Sequence, residues 1–401
     1  MQIEFSSIIF PEKGDLVSVS GDEEILNNDF TDTLASKELT LSNSISSTPT
    51  RISGFYNSGT LNTGDSNDLI VAAADYGDSI PDTYDYTVSG IHNTGTLNTG
   101  EGNDLILGIR YKQGKYRSSD RDSNGIFNEG GTIDTGGGDD IITGIAQGFL
   151  SVGIEHNSNN PNLQSQIIMK TGNGNDTIGG TGEYMGLRFG SINGSIIDTG
   201  EGDDAITGTG GYSGTVFYSS FLNTGEGNDT ITGISTQGDA IANSSTINTG
   251  DGNDIITGTS TYSIAISNTG TINTGDGDDI ILGIRTDNRF GPTIANSGTI
   301  NTGKGADSIT TDSGFSSFGS IFLGKGTDYI RGSGYATLYA GNDQDALELT
   351  SGRYTVEILG TVVSFTSSSG TIKTSEFEKL IAGSTTYDFS SLTNGQTIVV
   401  A

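Results

Sequence analysis

Ten aspartates recur along the chain at one position of a short glycine-rich turn: Asp68, Asp104, Asp140, Asp176, Asp204, Asp229, Asp254, Asp279, Asp307 and Asp328. Residues of this type can ligate a hard metal ion or act as acid and base. A catalytic carboxylate pair is singular, whereas these repeat, which favours a ladder of ligands over an active site. The segment Asn248 to Gly258, NTGDGNDIITG, shows the setting. Close copies begin at Asn62, Asn98, Asp134, Asp198, Asn223 and Asn273, and a looser one at Lys170. Such an internal repeat decides the fold before local propensity does.

The turns return every 25 to 36 residues over most of the array, so one coil has a constant core and a variable loop. Three residues before each first glycine stands an apolar side chain, as in Leu61, Ile133 and Ile247; six after it stands Ile70, Ile142 or Ile256. Those two columns form the expected core. Side chains alternate across a strand, so Thr246 and Asn248 face outward when Ile247 faces in. Upstream, Asn243, Asn268 and Asn296 are candidates for an asparagine ladder at a corner. The expected coil is strand, corner, strand, glycine turn, strand, loop. The fold class is therefore all-β, a right-handed parallel β-solenoid of the β-helix or β-roll kind with N- and C-terminal caps. The divisions are 1–50 for the first cap, 51–345 for the solenoid and 346–401 for the C-terminal cap. In the last segment YTVEILGTVVSF reads as a hairpin turning at Leu359-Gly360.

Composition agrees. The 401 residues include 62 glycines, no cysteine and no tryptophan, and only 32% are hydrophobic; that fills a thin core many times over but not one thick core. The net charge of -31 argues against nucleic acid, which requires a basic surface. No run is long and apolar enough to be a membrane span, and the N-terminal stretch does not read as a cleavable signal.

In register, neighbouring column aspartates lie about 4.8 Å apart, where two charges repel by about 0.9 kcal/mol in water and about 3.5 at an effective dielectric of 20. Raised pKa values, basic partners or bound cations could relieve that. The turns hold no basic residue before Lys304. Calcium, which accepts six to eight oxygens in loose geometry, fits a glycine turn that exposes carbonyls beside a carboxylate; magnesium ranks second.

The segment TGDGNDIIT (249–257) resembles the nonapeptide of the hemolysin-type, or RTX, calcium-binding repeats, with Thr249 in place of the first glycine. The resemblance implies several calcium ions held between turns of neighbouring coils. Their ligands would be the aspartate column and carbonyls of Gly100, Gly102, Gly136, Gly138, Gly172, Gly174, Gly200, Gly202, Gly225, Gly227, Gly250, Gly252, Gly275 and Gly277. It also implies secretion by a type I system that reads an uncleaved C-terminal signal, and hence an extracellular or cell-surface location. Segment 375–392 is similar to the terminal segments of such proteins, most of all those of filamentous cyanobacteria. Two departures stand out. One turn per long coil predicts a single file of sites, where the family usually has two. Ser66, Lys304 and Lys325 alter the end turns.

The expectation is thus a non-catalytic, calcium-binding repeat protein with a structural, surface or adhesive role, whose partners are cell-surface polysaccharide or other surface proteins. The alternative is a lyase- or epimerase-like parallel β-helix acting on polysaccharide. His92 and His156 stand in polar contexts and are expected at the surface. The basic run Arg110 to Asp122 reads as a solvated loop or as a docking spot for an acidic glycan or another acidic rod. The outward threonine file is interrupted by Ile168, Ile196 and Phe221, which argues against an ice-ordering face.

Overall fold

A computed structural model describes residues 3–5, 17–21, 25–27, 38–43, 51–65, 67–74, 87–111, 123–148, 150–157, 166–191, 194–287 and 291–401. Ser66 and residues 112–122 of the basic run lie outside them. The chain divides into two compact units, 1–224 and 225–401, a boundary absent from the sequence reading.

Each unit is built of three-stranded coils stacked in parallel. In the first unit one coil is Ser123–Asn128, Thr132–Asp134 and Ile141–Ala146. Ile133 pairs with Leu97 below and Met169 above, and Ile142 pairs with Ile106 and Ile178. In the second unit one coil is Ile241–Asn243, Thr246–Asn248 and Ile255–Ser260, with Ile247 against Ile272 and Ile256 against Ile281. This is the parallel β-solenoid expected. The strands Val17–Gly21 and Glu38–Asn43 already pair in parallel and lead into Leu69–Ala74, so the sheets begin within residues 1–50.

Both expected columns are fully or almost fully buried. A third column joins them: Phe55, Ile91, Ile126, Ile154 and Leu187 in the first unit; Ile241, Ile266, Ile294 and Phe315 in the second. The interior is so thin that facing strands touch backbone to backbone. A Cβ on Gly258 would sit 2.2 Å from the Ala265 carbonyl oxygen. Three β-branched or long apolar side chains per coil therefore suffice as core, because each coil buries them against its neighbours rather than against a distant layer.

At the corner the asparagines form the ladder expected: Asn243 Nδ2 donates to Asn268 Oδ1 at 2.8 Å, and Asn268 Nδ2 to Asn296 Oδ1 at 2.7 Å. The first unit has its own, Asn57 to Asn93 to Asn128, at 2.7 and 2.8 Å, which ends on His156 Nδ1 at 2.9 Å. Two stacked rings, Phe189 and Phe217, then fill the column. Both histidines are thus buried, contrary to the surface position expected from their polar neighbours. His156 replaces a ladder asparagine, and desolvation holds its pKa down at about 4. His92 lies between Tyr56 and Phe127, with Nε2 3.0 Å from Glu129. Arg110, read as part of the basic loop, ends the strand Leu105–Arg110 and is fully buried.

The parallel array gives way to antiparallel pairing at its C-terminal end. Gly352–Leu359 forms the predicted hairpin with Val362–Ser367, and Gly360 takes the positive φ of its turn. Thr397–Val400 covers the other edge of Gly352–Leu359. Antiparallel closure of this kind protects a sheet edge from pairing with other chains.

Ile256→Ala is expected to cost about 3 kcal/mol, because the void left between two fixed rungs cannot collapse. Asn268→Ala is expected to cost about 1–3 kcal/mol by removing one acceptor of the Asn243 amide and the donor that serves Asn296 Oδ1 and the Thr299 carbonyl. Urea titration checks both; losses below 1 kcal/mol would contradict the rung-by-rung account.

Candidate metal centre

One glycine turn occurs per coil, between the second and third strands, and glycine is required there for two reasons. The first glycines have φ between 89° and 115° and the second between 127° and 149°, where side chains are disfavoured. The coils also approach closely: a Cβ on Gly250 would lie 1.7 Å from the Gly225 carbonyl oxygen, and one on Gly252 1.8 Å from that of Gly227. Only bare backbone lets these carbonyls stack. The Gly252 N–H donates to the Asp276 carbonyl at 2.8 Å, and the Asp251 N–H to the Gly225 carbonyl at 3.2 Å. In the first unit Gly138 and Gly174 make the same bond, to Asn173 and Glu201.

The column aspartates, 0–3% exposed, turn inward at the end of this turn. Each is pinned by one oxygen. The N–H of Asp104, Asp140 and Asp176 donates to Oδ1 of the next coil's aspartate at 2.8 Å. In the second unit Asp229, Asp254, Asp279 and Asp307 do the same at 2.8–2.9 Å. In Asp68 the other oxygen accepts from the Thr63 hydroxyl. Oδ2 of Asp104, Asp140, Asp176, Asp254, Asp279, Asp307, Asp328 and Asp345 is buried without a hydrogen-bond partner.

Two further ladders frame the column, and the sequence reading missed both. The threonine that begins each turn is buried, and its hydroxyl donates to the next coil's carbonyl: Thr171 to Thr199 at 3.3 Å, Thr249 to Thr274 and Thr274 to Thr302 at 3.2 Å. The exposed residue before each column aspartate runs the opposite way. Asn253 N–H donates to Asn228 Oδ1, Asp278 N–H to Asn253 Oδ1, and Ala306 N–H to Asp278 Oδ1, at 2.7–2.9 Å. Adjacent residues thus clamp the coil in both directions, one to the coil above and one to the coil below. The signal was present, since Asn67, Asn103, Asp139, Asn175, Asp203, Asn228, Asn253 and Asp278 all offer an Oδ1 three bonds from Cα, whatever the charge.

Burial is the main electrostatic fact of the column. Desolvation pushes Asp140, Asp254 and Asp328 up to about 7, opposed for Asp254 by the neighbouring Thr249 hydroxyl and the Asp229 N–H; like charge on Asp229 and Asp279 adds to the rise. Asp279 rises to about 6, and Asp104, Asp176 and Asp307 rise for the same leading reason. Repulsion between neighbouring carboxylates, the leading expectation from their spacing, ranks behind loss of water.

The column of the second unit runs on into the decayed turn Gly341 to Asp345, which has lost its second glycine. Asp328 N–H donates to Asp345 Oδ1 at 2.8 Å, although Asp343 replaces the second glycine and takes its positive φ of 94°. The acids between the two glycines, such as Glu101, Glu226 and Asp251, stay at the surface, where Lys304 pairs with Asp276. Among the described residues no three histidine or acidic side chains converge as a metal cluster. An ion between two coils would therefore draw on column carboxylates and on backbone oxygens of the glycine cradle. The leftover buried Oδ2 atoms and the side-chain-free cradle fit a hard, oxygen-seeking cation.

No protein-family model matches the sequence, and no curated protein does. Among solved structures, a hyperactive, Ca2+-dependent, β-helical antifreeze protein from an Antarctic bacterium is similar at 16% identity, over 79% of this chain and 84% of that one, with a TM-score of 0.40.

The raised pKa values set a pH dependence for chelator-treated protein. An unfolded aspartate titrates near 3.9, so the folded chain keeps protons that the unfolded chain has lost. That stability is complete below about pH 4 and is lost as pH rises through 6 to 7. Buried neutral His156 acts oppositely between its ordinary value and about 4, so the effect is best read above pH 6.5. The urea midpoint in EDTA is expected to fall above pH 6.5 and to vanish by pH 7.5; a flat or rising midpoint would refute the assignment.

Proposed function

We propose that the chain is a calcium-binding structural repeat protein, without catalytic activity, whose ions bind between neighbouring glycine turns and neutralise the aspartate column. The observation that carries this reading is the row of buried column carboxylates with an unused Oδ2 beside a glycine-only cradle. At pH 7 each needs a proton or a cation, and a divalent ion serves two rungs at once. Bound calcium would supply charge neutralisation. Asp104, Asp140, Asp176, Asp254, Asp279, Asp307 and Asp328 would hold it, aided by glycine carbonyls such as those of Gly250 and Gly252. Asp68 and Asp204 belong to the column of the first unit and Asp229 to that of the second.

Repetition supports a structural or adhesive role over catalysis, since every coil offers the same set. The secreted, surface-exposed setting rests on the resemblance to the RTX repeats and on the acidity of the chain. A surface polysaccharide or another surface protein is the partner class that this setting favours. A second reading follows from the raised pKa values: a solenoid held together by protons and stable only in acid. Calcium dependence at neutral pH separates the two.

Circular dichroism is expected to show loss of β-structure in EDTA at pH 7.5 and its return with calcium chloride. A full β spectrum in EDTA would sink the calcium reading. Asp254→Asn is expected to remove one or two ions from the stoichiometry measured by isothermal titration, and an unchanged count would exclude Asp254 as a ligand.

A further inference from the structure

The last rung of the column is made differently from the others. Ala346–Leu349 pairs in parallel with Lys379–Ala382, in the register Ala346 to Lys379 and Leu347 to Leu380. One residue before each of these strands stand Asp345 and Glu378. The Asp345 N–H donates to Glu378 Oε2 at 2.8 Å, the same bond that the Asp328 N–H gives to Asp345 Oδ1. Glu378 therefore holds the next place in the file, although it follows no glycine turn and belongs to the segment that ends in antiparallel pairing with Thr385–Asp388.

The chemistry of this rung points to an ion. Asp345 is fully buried, and its Oδ2 has no hydrogen-bond partner. The negative charges of Glu378 and Asp343 both act on it. Asp343 and Glu376, the acids on either side of the step from turn to cap, hold positive φ values of 94° and 66° that glycine would hold more easily. Glu378 is half-buried, and its extra methylene gives it reach from a strand that has no turn to carry it forward.

We propose that Asp345 and Glu378 form a divalent-cation site of their own, which closes the file and ties docking of the Lys379–Ala382 and Thr385–Asp388 strands to calcium. It rests on the reading that the column binds calcium. An aspartate turn cannot end such an array, because its own N–H would need an acceptor on a coil that does not exist. A glutamate from the capping strand gives that N–H its acceptor and offers a second oxygen to the ion. Without the ion, Glu378 and Asp345 repel across the junction, and the cap is the first part of the second unit to open.

The test uses the full chain with calcium chloride as the probe. It counts bound calcium by equilibrium dialysis and follows amide exchange in Lys379–Ala382 and in Ile255–Ser260. Glu378→Gln keeps the size of the side chain and its acceptor for the Asp345 N–H, so the cap can still form. It is expected to bind one ion fewer and to speed exchange in Lys379–Ala382 about tenfold in saturating calcium, with Ile255–Ser260 unchanged. Asp343→Asn, which leaves the ladder intact, is expected to raise the calcium concentration needed to protect Lys379–Ala382. If Asp254→Asn loses calcium while Glu378→Gln keeps the full count and protection, the terminal site falls and the column reading stands. If the unmodified chain binds no calcium, both fall.

Discussion

A carboxylate that has lost its water is the constraint from which the rest of the solenoid follows. Column aspartates such as Asp279 and Asp307 give Oδ1 to the N–H of the preceding coil and keep Oδ2 in a dry interior. The first bond fixes the register, since sliding a coil by one residue would remove the acceptor and expose the apolar columns together. The second oxygen leaves the fold incomplete at neutral pH. Everything else in the turn accommodates this pair of facts: glycines so that the backbone can come close, a threonine to tie the inner side, and an asparagine or aspartate to tie the outer side in the opposite direction.

Against that electrostatic demand the hydrophobic contribution is modest. A coil buries about three large apolar side chains, which pack within the coil and against the coils above and below. Stability in such an array is close to a sum of neighbour contacts, so a weak rung remains a local weakness. The asparagine ladders add directional bonds at the corner, where apolar packing has no reach. His156 and the stacked Phe189 and Phe217 show that this corner tolerates other side chains when they match the 4.8 Å repeat or complete its hydrogen bonds.

Parallel stacking also leaves two unpaired edges. At the C-terminal side the second unit meets this by changing its pairing. The rung at Ala346–Leu349 is followed by one drawn from an antiparallel hairpin, and Glu378 answers the last inward N–H. The same residue that satisfies the backbone adds charge to the end of the file, so closure of the sheet and closure of the cation column fall on one side chain.

The repeat alone determined the class of fold, the two main core columns, the asparagine corner and the identity of the column aspartates, because each depends on a period that survives in the residues themselves. Position within the period also implied that the carboxylates would be close together. Only the tertiary structure decided which way they point and what opposes their charge. Inward rotation makes desolvation outweigh repulsion, and no spacing rule contains the dielectric of the space a side chain enters. The same holds for His92, His156 and Arg110, whose polar neighbours in sequence suggested solvent while their neighbours in space exclude it. Glu378 escaped for a related reason. Its equivalence to the earlier aspartates lies in strand register, which pairs it with Asp345 across a gap of 33 positions that no glycine motif marks.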